Sequence, residues 1–106
     1  MARVLLNVPK TVPRGEPIEI RVLISHPMES GQRRGDDGRT VPRQIINSFV
    51  CTYNGAEVLR LALHPAIAAN PFFTFAARAE ESGAIVLTWT DDAGATQTES
   101  ALIVVT

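Results

Sequence analysis

The sequence predicts an all-β protein, an immunoglobulin-like antiparallel β-sandwich of about seven strands. Short runs of β-branched and aromatic residues alternate with polar residues, which is the period-two pattern of half-buried strands. Turn residues separate these runs, and no segment of ordinary helix length places apolar residues at helical spacing. A small β-barrel is the main alternative for such a pattern.

Length, charge and cysteine content limit what the chain can be. The 106 residues are the usual length of one domain, and we expect residues 1–106 to form a single unit. The net charge of −1 gives no overall field that would attract nucleic acid or an anionic membrane. Cys51 is the only cysteine, so no intrachain disulfide can form and the hydrophobic core must hold the fold.

The N-terminal segment predicts neither a signal peptide nor a membrane span. The apolar run before Pro9 is shorter than the roughly 7 to 15 residues of a signal peptide or the roughly 20 of a membrane helix. Taken alone, this pattern predicts a soluble cytoplasmic protein with no membrane partner.

The chain begins with two predicted strands. Val4–Val8 forms a short strand that Pro9 closes. Pro17–Ile24 alternates, and one set of its apolar residues is expected to face the core. These are Ile18, Ile20, Val22 and Ile24. The strand should end at His26, because Pro27 restricts the residue before it to an extended conformation.

The next predicted unit is a β-hairpin formed by Ile45–Tyr53 and Ala56–Leu63. The dipeptide between them, Asn54-Gly55, readily adopts both positive-φ positions of a type I′ turn. A two-residue turn would place Cys51 opposite Val58 and Val50 opposite Leu59. One face of the hairpin then has Val50, Leu59 and Leu61, and the other has Phe49, Cys51, Tyr53 and Val58. A sandwich buries only one face in its own core, so a loop or a second chain covers the other, and both alternatives stay open.

Three more strands complete the sandwich. His64–Pro71 is too short for more than one helical turn and should cross from one sheet to the other. The strands that follow are predicted at Phe72–Glu80, Ala84–Thr90 and Ala95–Val105. Phe73, Phe75 and Trp89 are expected core residues, where truncation to alanine costs about 3 to 5 kcal/mol.

The segment Val22–Arg43 leaves this scaffold at one rim of the molecule, where the strand end should display His26 and Met28. The loop that follows contains many charges, which cannot all be buried. They include Arg33, Arg34, Asp36, Asp37, Arg39 and Arg43. A partner protein can recognise such a loop, although on composition alone a solvated connection between strands is the more common explanation.

Candidate catalytic residues are few. Cys51 with His26 or His64 would make a small thiol- or metal-dependent enzyme, but a cysteine in mid-strand is usually an inert buried thiol. Two histidines and one cysteine show no paired-ligand motif for zinc, and an iron site of the superoxide-reductase kind needs more histidines. Asp91 and Asp92 are expected to be turn formers. The residues therefore predict a binding protein with no catalytic residue, metal or cofactor.

Four segments taken together resemble one protein family. They are LISHPMESGQR at 23–33, VPRQIINSFVCTYNG at 41–55, HPAIAANP at 64–71 and TWTDDAG at 88–94. This ordered set resembles SoxZ, the small subunit of the SoxYZ carrier in bacterial thiosulfate oxidation. The resemblance implies a non-catalytic scaffold that forms a heterodimer with SoxY, whose C-terminal arm has the cysteine to which sulfur intermediates are attached.

The resemblance also implies further partners and a compartment. Other Sox enzymes would contact the heterodimer transiently, and export together with a signal-bearing SoxY would place the chain in the periplasm. Because Ala101–Thr106 is an apolar strand without cysteine or glycine, we expect the arm to belong to the partner. A structural β-sandwich interaction module is a second alternative. A neighbouring gene that encodes a glycine-rich protein with a C-terminal cysteine would argue against that alternative.

The partner is expected to contact the rim and the hairpin face beside it. The predicted interface residues are His26, Met28, Arg33, Arg34, Arg43, Phe49, Cys51 and Tyr53. The basis is that Met28 and the aromatic residues would expose an apolar patch on an isolated monomer, while arginine and tyrosine commonly anchor interfaces. In this interpretation, the isolated chain can also form a homodimer through the same patch.

Overall fold

The computed structural model describes residues 3–64, 67 and 69–106, which form eight β-strands. The strands are β1 (Arg3–Asn7), β2 (Thr11–Val12), β3 (Pro17–Ser25), β4 (Ile46–Tyr53), β5 (Ala56–Ala62), β6 (Phe72–Arg78), β7 (Gly83–Asp91) and β8 (Thr96–Val105). They form a three-stranded sheet in the order β1-β3-β6 and a five-stranded sheet in the order β2-β8-β7-β4-β5. The predicted all-β, immunoglobulin-like sandwich is therefore confirmed. Among the described residues, no helix has the length and apolar character needed to cross a membrane.

All seven predicted strands are present, and their ends differ from the prediction by only one or two residues. The additional strand, β2, has two residues and is too short to show a period-two pattern. It pairs in parallel with β8, with Thr11 opposite Val104, whereas the other strand pairs are antiparallel. Because Val12 is buried, β2 closes the core at the β8 edge of its sheet.

The core lies between the two sheets. The four residues predicted to face inward from β3 are fully buried, which confirms the alternation read from the sequence. The five-stranded sheet adds Phe49, Cys51, Ile85, Leu87 and Trp89 to the same buried cluster. The ring of Phe49 in β4 lies 4.9 Å from the ring of Phe73 and 6.2 Å from that of Phe75, both in β6. Since β4 and β6 belong to different sheets, these rings join the two layers.

The turn at Asn54-Gly55 is also confirmed, with φ angles of 50° and 81°. The Asn54 side chain has a second role, because its Oδ1 accepts a hydrogen bond of 3.1 Å from the Ala84 amide. A Cβ atom at position 83 would lie 1.5 Å from Asn54 Oδ1, so a larger residue there would displace the Asn54 side chain from this hydrogen bond. The turn of the hairpin thereby also fixes the start of β7.

The predicted register of the hairpin is wrong beyond the turn. A β-bulge between Cys51 and Thr52 shifts the pairing, so that Cys51 lies opposite Leu59 and Val50 lies opposite Arg60. One extra residue, Val58, accounts for the shift, because a bulge moves every later side chain to the other face. The side that includes Cys51 is the core side, and Val50 points away from the core.

The connection between β5 and β6 takes the chain from the five-stranded to the three-stranded sheet, as predicted for His64–Pro71. The prediction of one helical turn in this connection falls in part on Pro65, Ala66 and Ala68, which lie outside the described residues.

Phe49→Ala should lower the free energy of unfolding by about 3 to 5 kcal/mol, because it removes a fully buried ring and leaves a cavity between the sheets. Phe72→Ala is a matched control, since this ring is 60% exposed, and its effect should stay within about 0.5 kcal/mol. Urea unfolding followed by the fluorescence of Trp89 measures both. Equal losses in the two variants would mean that the inward face of β4 is wrongly assigned.

Candidate partner interface

Residues 29–44, between β3 and β4, form a narrow two-stranded ribbon at the rim of the sandwich, which we call the arginine ribbon. Glu29 and Gln44 exchange both backbone hydrogen bonds, at 2.9 and 2.8 Å. Farther along, the Val41 amide donates to the Arg33 carbonyl at 2.7 Å. The segment that composition describes as a charged loop is therefore ordered by its own backbone hydrogen bonds.

The three predicted interface arginines of the ribbon have different partners. Arg33 is 61% exposed and donates from Nε and Nη2 to one oxygen of Glu29 at 3.0 and 2.7 Å. Arg34 donates to the carbonyl of Gly38 at 3.3 Å. Arg43 is 47% exposed and forms a bidentate pair with Asp92, at 2.8 and 3.1 Å. Arg33 and Arg34 thus present charge to solvent, while Arg43 anchors the base of the ribbon.

Asp92 is a structural carboxylate that the sequence interpretation missed. Besides the pair with Arg43, its oxygens accept hydrogen bonds from the Ile45 amide at 3.2 Å and from Asn47 Nδ2 at 3.0 Å. The hydrogen bonds from Arg43, then those from Asn47 and Ile45, hold the pKa of this carboxyl well below its usual range, against the opposing effect of desolvation. Asp91, in contrast, is the predicted turn former, and its Oδ1 accepts from two amides of the β7–β8 turn, each at 3.0 Å.

His26 lies at the predicted rim, but it is buried rather than displayed. Its Nδ1 accepts a hydrogen bond from the Met28 amide at 3.0 Å, so the neutral ring has its proton on Nε2. Burial lowers the pKa of His26, and the charges of Asp91 and Asp92 oppose that effect. The Asn70 side chain accepts from the His26 amide at 3.0 Å, which ties the strand end to the β5–β6 connection.

The expectation that Met28 is displayed is also wrong. Its backbone adopts the left-handed conformation, with φ of 52°, which is uncommon for a residue other than glycine. The side chain is buried, and its sulfur accepts a hydrogen bond from the Ile46 amide at 3.3 Å. Met28 therefore joins the ribbon base to the start of β4 and adds no exposed apolar side chain to the rim.

Phe49, Cys51 and Tyr53 are buried too, because their side of β4 faces the three-stranded sheet. The Tyr53 hydroxyl donates to the Glu81 carbonyl and accepts from the amides of Glu80 and Glu81, at 3.2 and 3.0 Å. The premise of an exposed apolar patch is thus wrong. The interface itself stays a prediction, and its exposed members are Arg33, Arg34 and Arg43.

A cleft of about 500 Å³ lies beside the ribbon base, where β3 and β7 end and β4 and β8 begin. Its walls include His26, Pro27, Gln44, Asp91, Thr96 and Gln97. Trp89 lies in the same wall and donates from Nε1 to Gln97 Oε1 at 3.1 Å. The described lining has one carboxylate and no lysine or arginine. It therefore suits an uncharged ligand, such as an extended peptide segment, better than an anion.

The thiol does not have the properties of a nucleophile. Burial raises the pKa of Cys51 to about 11, so the thiol is protonated at neutral pH. Among the residues that the structure describes, no group of three or more histidine, cysteine, aspartate or glutamate side chains could hold a metal ion. The alternative of an enzyme that uses Cys51 with His26 or His64 therefore finds no assembled site in the described part of the chain.

Comparisons with known proteins agree with this fold. The sequence matches the family model described as sulphur oxidation protein SoxZ over residues 6–102. Superoxide reductase (neelaredoxin) from Ignicoccus hospitalis has a TM-score of 0.72 at 18% identity, over 97% of this chain and 80% of that one. The sulfur carrier protein SoxY from Chlorobium limicola f thiosulfatophilum has a TM-score of 0.68 at 12% identity, over 97% and 78%. At these identities the structures share the fold alone. The comparison with curated proteins gave no match.

Asp92→Asn should destabilise the protein at pH 7 by about 1 to 3 kcal/mol, because it weakens hydrogen bonds to a charged acceptor. Since the folded-state pKa is lowered, the contribution of the carboxylate is complete above its ordinary pKa of about 3.9 and is lost as pH falls below that value. The stability of the variant should therefore decline less between pH 4 and pH 2. Urea unfolding at several pH values measures this.

Asp36→Asn, at an exposed position of the same ribbon, is the control for the loss of a carboxylate. If both variants show the same pH dependence of stability as the unmodified protein, Asp92 does not anchor the ribbon.

Proposed function

The chain belongs to the SoxZ family of sulphur oxidation proteins, and we propose that it is the non-catalytic scaffold subunit of a heterodimeric carrier, paired with a SoxY-type subunit that holds the sulfur intermediates covalently. The observation that supports this proposal most is the family match, which extends over nearly the whole chain. In this assignment the partner supplies the reactive cysteine, and this chain supplies a rigid body to which the partner binds.

The chemistry of the described residues is consistent with a scaffold. A carrier must attach sulfur to an accessible thiolate, whereas Cys51 is fully buried with a raised pKa. His26, which lies in the cleft wall, uses Nδ1 to accept the Met28 amide hydrogen and is not paired with Cys51 by any hydrogen bond in the described structure. Covalent attachment of the intermediate to this chain is therefore disfavoured.

The arginine ribbon is the proposed contact for the partner. Its backbone hydrogen bonds and the Asp92 anchor hold Arg33 and Arg34 in place before binding, which reduces the entropy lost on association. Arginine is also among the side chains that most often dominate interface energies. Because the ribbon contains both arginines and aspartates, it offers specific pairing rather than a single-sign field.

We also propose that the chain works in the periplasm, exported together with a signal-bearing SoxY-type subunit, and that other Sox enzymes contact the heterodimer transiently. Support for both statements comes from the family alone. In the absence of its partner, the chain would be free to form a homodimer.

Arg33→Ala should weaken the heterodimer by about 2 kcal/mol, or roughly thirtyfold in Kd, if Arg33 is an anchor of the interface. The melting temperature of the isolated chain should hardly change, because an exposed ion pair such as Arg33–Glu29 contributes little to stability. Arg78→Ala, which removes an exposed arginine from β6, is the matched control. Titration calorimetry with the SoxY-type subunit measures the Kd of both variants, and equal affinities would exclude Arg33 as an anchor of the interface.

Native Cys51 should react with iodoacetamide at pH 8 far more slowly than the same thiol in guanidinium chloride. With a pKa of about 11, only about one thiol in a thousand is ionised at that pH, and the side chain is buried as well. Mass spectrometry over time gives both rates. Rapid labelling of the folded protein would contradict the scaffold assignment and favour a thiol enzyme.

A further inference from the structure

Along β4, β7 and β8, all of which lie in the described part of the chain, the outer face of the five-stranded sheet has no charged side chain. The edge strand β5 borders this region with an ion pair, since Glu57 lies beside Thr52, Arg60 lies beside Val50, and the two join at 2.8 Å. The rows of the face follow from the strand register: Val50 lies beside Thr88 and Thr88 beside Thr98, and the next row is Thr52, Val86 and Ser100. Alternation places these residues opposite the buried ones, and Leu102 and Val104 extend the face with exposures of 79% and 54%. Along these three strands the face is thus threonine-rich and partly apolar.

The other outer face of the sandwich differs in charge, although not in apolar exposure. The exposed side of the three-stranded sheet has charged residues on every strand, namely Arg3, Glu19, Arg21 and Arg78. It also exposes Leu5 and Phe72. A soluble protein surface usually has about 25 to 35% charged residues, so three or four are expected among the twelve outward positions of β4, β7 and β8. Depletion of charge is one of the properties that distinguish the core of an interface from the rest of a surface.

We propose that this uncharged face is the surface on which the body of the SoxY-type subunit docks, an inference that rests on the proposed function. An uncharged face cannot compensate a charge that a partner buries against it, so the docking surface of the partner must be uncharged as well. A sheet face can pack on the face of another sheet, which a second β-sandwich has. The sulfur carrier protein SoxY from Chlorobium limicola f thiosulfatophilum shares this fold, so the proposed partner has a sheet face of comparable size.

The size of the face limits what it can contribute alone. Three strands of about nine residues cover roughly 30 Å by 14 Å, or about 420 Å², in the plane of the sheet. This is roughly half of the 800 Å² per partner that a standard stable interface buries. A stable complex would therefore extend beyond the face, and the arginine ribbon is a surface that could complement it.

The face is also continuous with the cleft. Thr96, the first residue of β8, lies at the end of the uncharged face and in the cleft wall. A partner body on the sheet would therefore end beside His26 and the ribbon base. A flexible segment of that partner would then lie close to the cleft, and the cleft suits an extended peptide.

The experiment measures the Kd of the SoxY-type subunit for the full chain and for variants with a charge placed on either outer face. Thr98→Lys and Thr98→Glu introduce both signs at an exposed position of the uncharged face, and Thr74→Lys and Thr74→Glu do so on the opposite face. We expect each Thr98 variant to raise Kd at least tenfold, and each Thr74 variant to leave it within threefold. Ser100→Lys replaces Thr98→Lys if the latter lowers the melting temperature.

The outcomes separate the two proposals. If the unmodified chain forms no complex, the proposed function fails and the inference with it. If the complex forms but Thr98 variants bind as the unmodified chain does, only the inference is overturned. It is also overturned if just one sign of charge weakens binding, which indicates a charged partner surface, or if Thr98→Lys disrupts a homodimer of this chain and leaves the heterodimer intact.

Discussion

The Asp92 carboxylate accepts four hydrogen bonds, two from Arg43 and one each from Ile45 and Asn47. These donors belong to the return of the arginine ribbon and the start of β4, whereas Asp92 belongs to the turn between β7 and β8. One side chain thus joins the ribbon to the central strands of the five-stranded sheet. Buried or half-buried carboxylates are stable when their lone pairs are satisfied, and this one is satisfied on both oxygens. The position of the ribbon, and of the cleft beside it, depends on this cluster.

The sequence predicted the local features of the fold well, because those features depend on neighbours in the chain. Alternation over Pro17–Ile24 identified the buried side of β3, and Asn54-Gly55 identified the tightest turn. Features that depend on distant residues were missed. The aspartate at 92 looked like a turn former because its donors are 45 to 49 residues away, and the bulge at Cys51 has no signal in composition or spacing.

The candidate site shows the same division between local and distant information. The rim was located correctly, since Pro27 ends β3 at the place that the sequence indicated. The exposure of its residues was predicted wrongly, because Met28 turns inward through a left-handed backbone and Tyr53 fills a position between the layers. Which face of a doubly apolar hairpin is buried depends on the order of strands in two sheets, and that order is not encoded in any single strand.

The uncharged face must be soluble before association and must have its hydrogen-bonding groups satisfied after it, and threonine side chains meet both requirements. Before association the face must remain soluble without charges, and its hydroxyl groups are hydrated. After association those groups must not be left without partners, because an unsatisfied buried hydroxyl costs free energy. Neighbouring threonines can satisfy one another, as the 3.2 Å contact between Thr90 Oγ1 and Thr96 Oγ1 illustrates. The methyl groups then supply apolar contact, so a threonine-rich sheet can exchange water for a partner at a lower desolvation cost than a charged one.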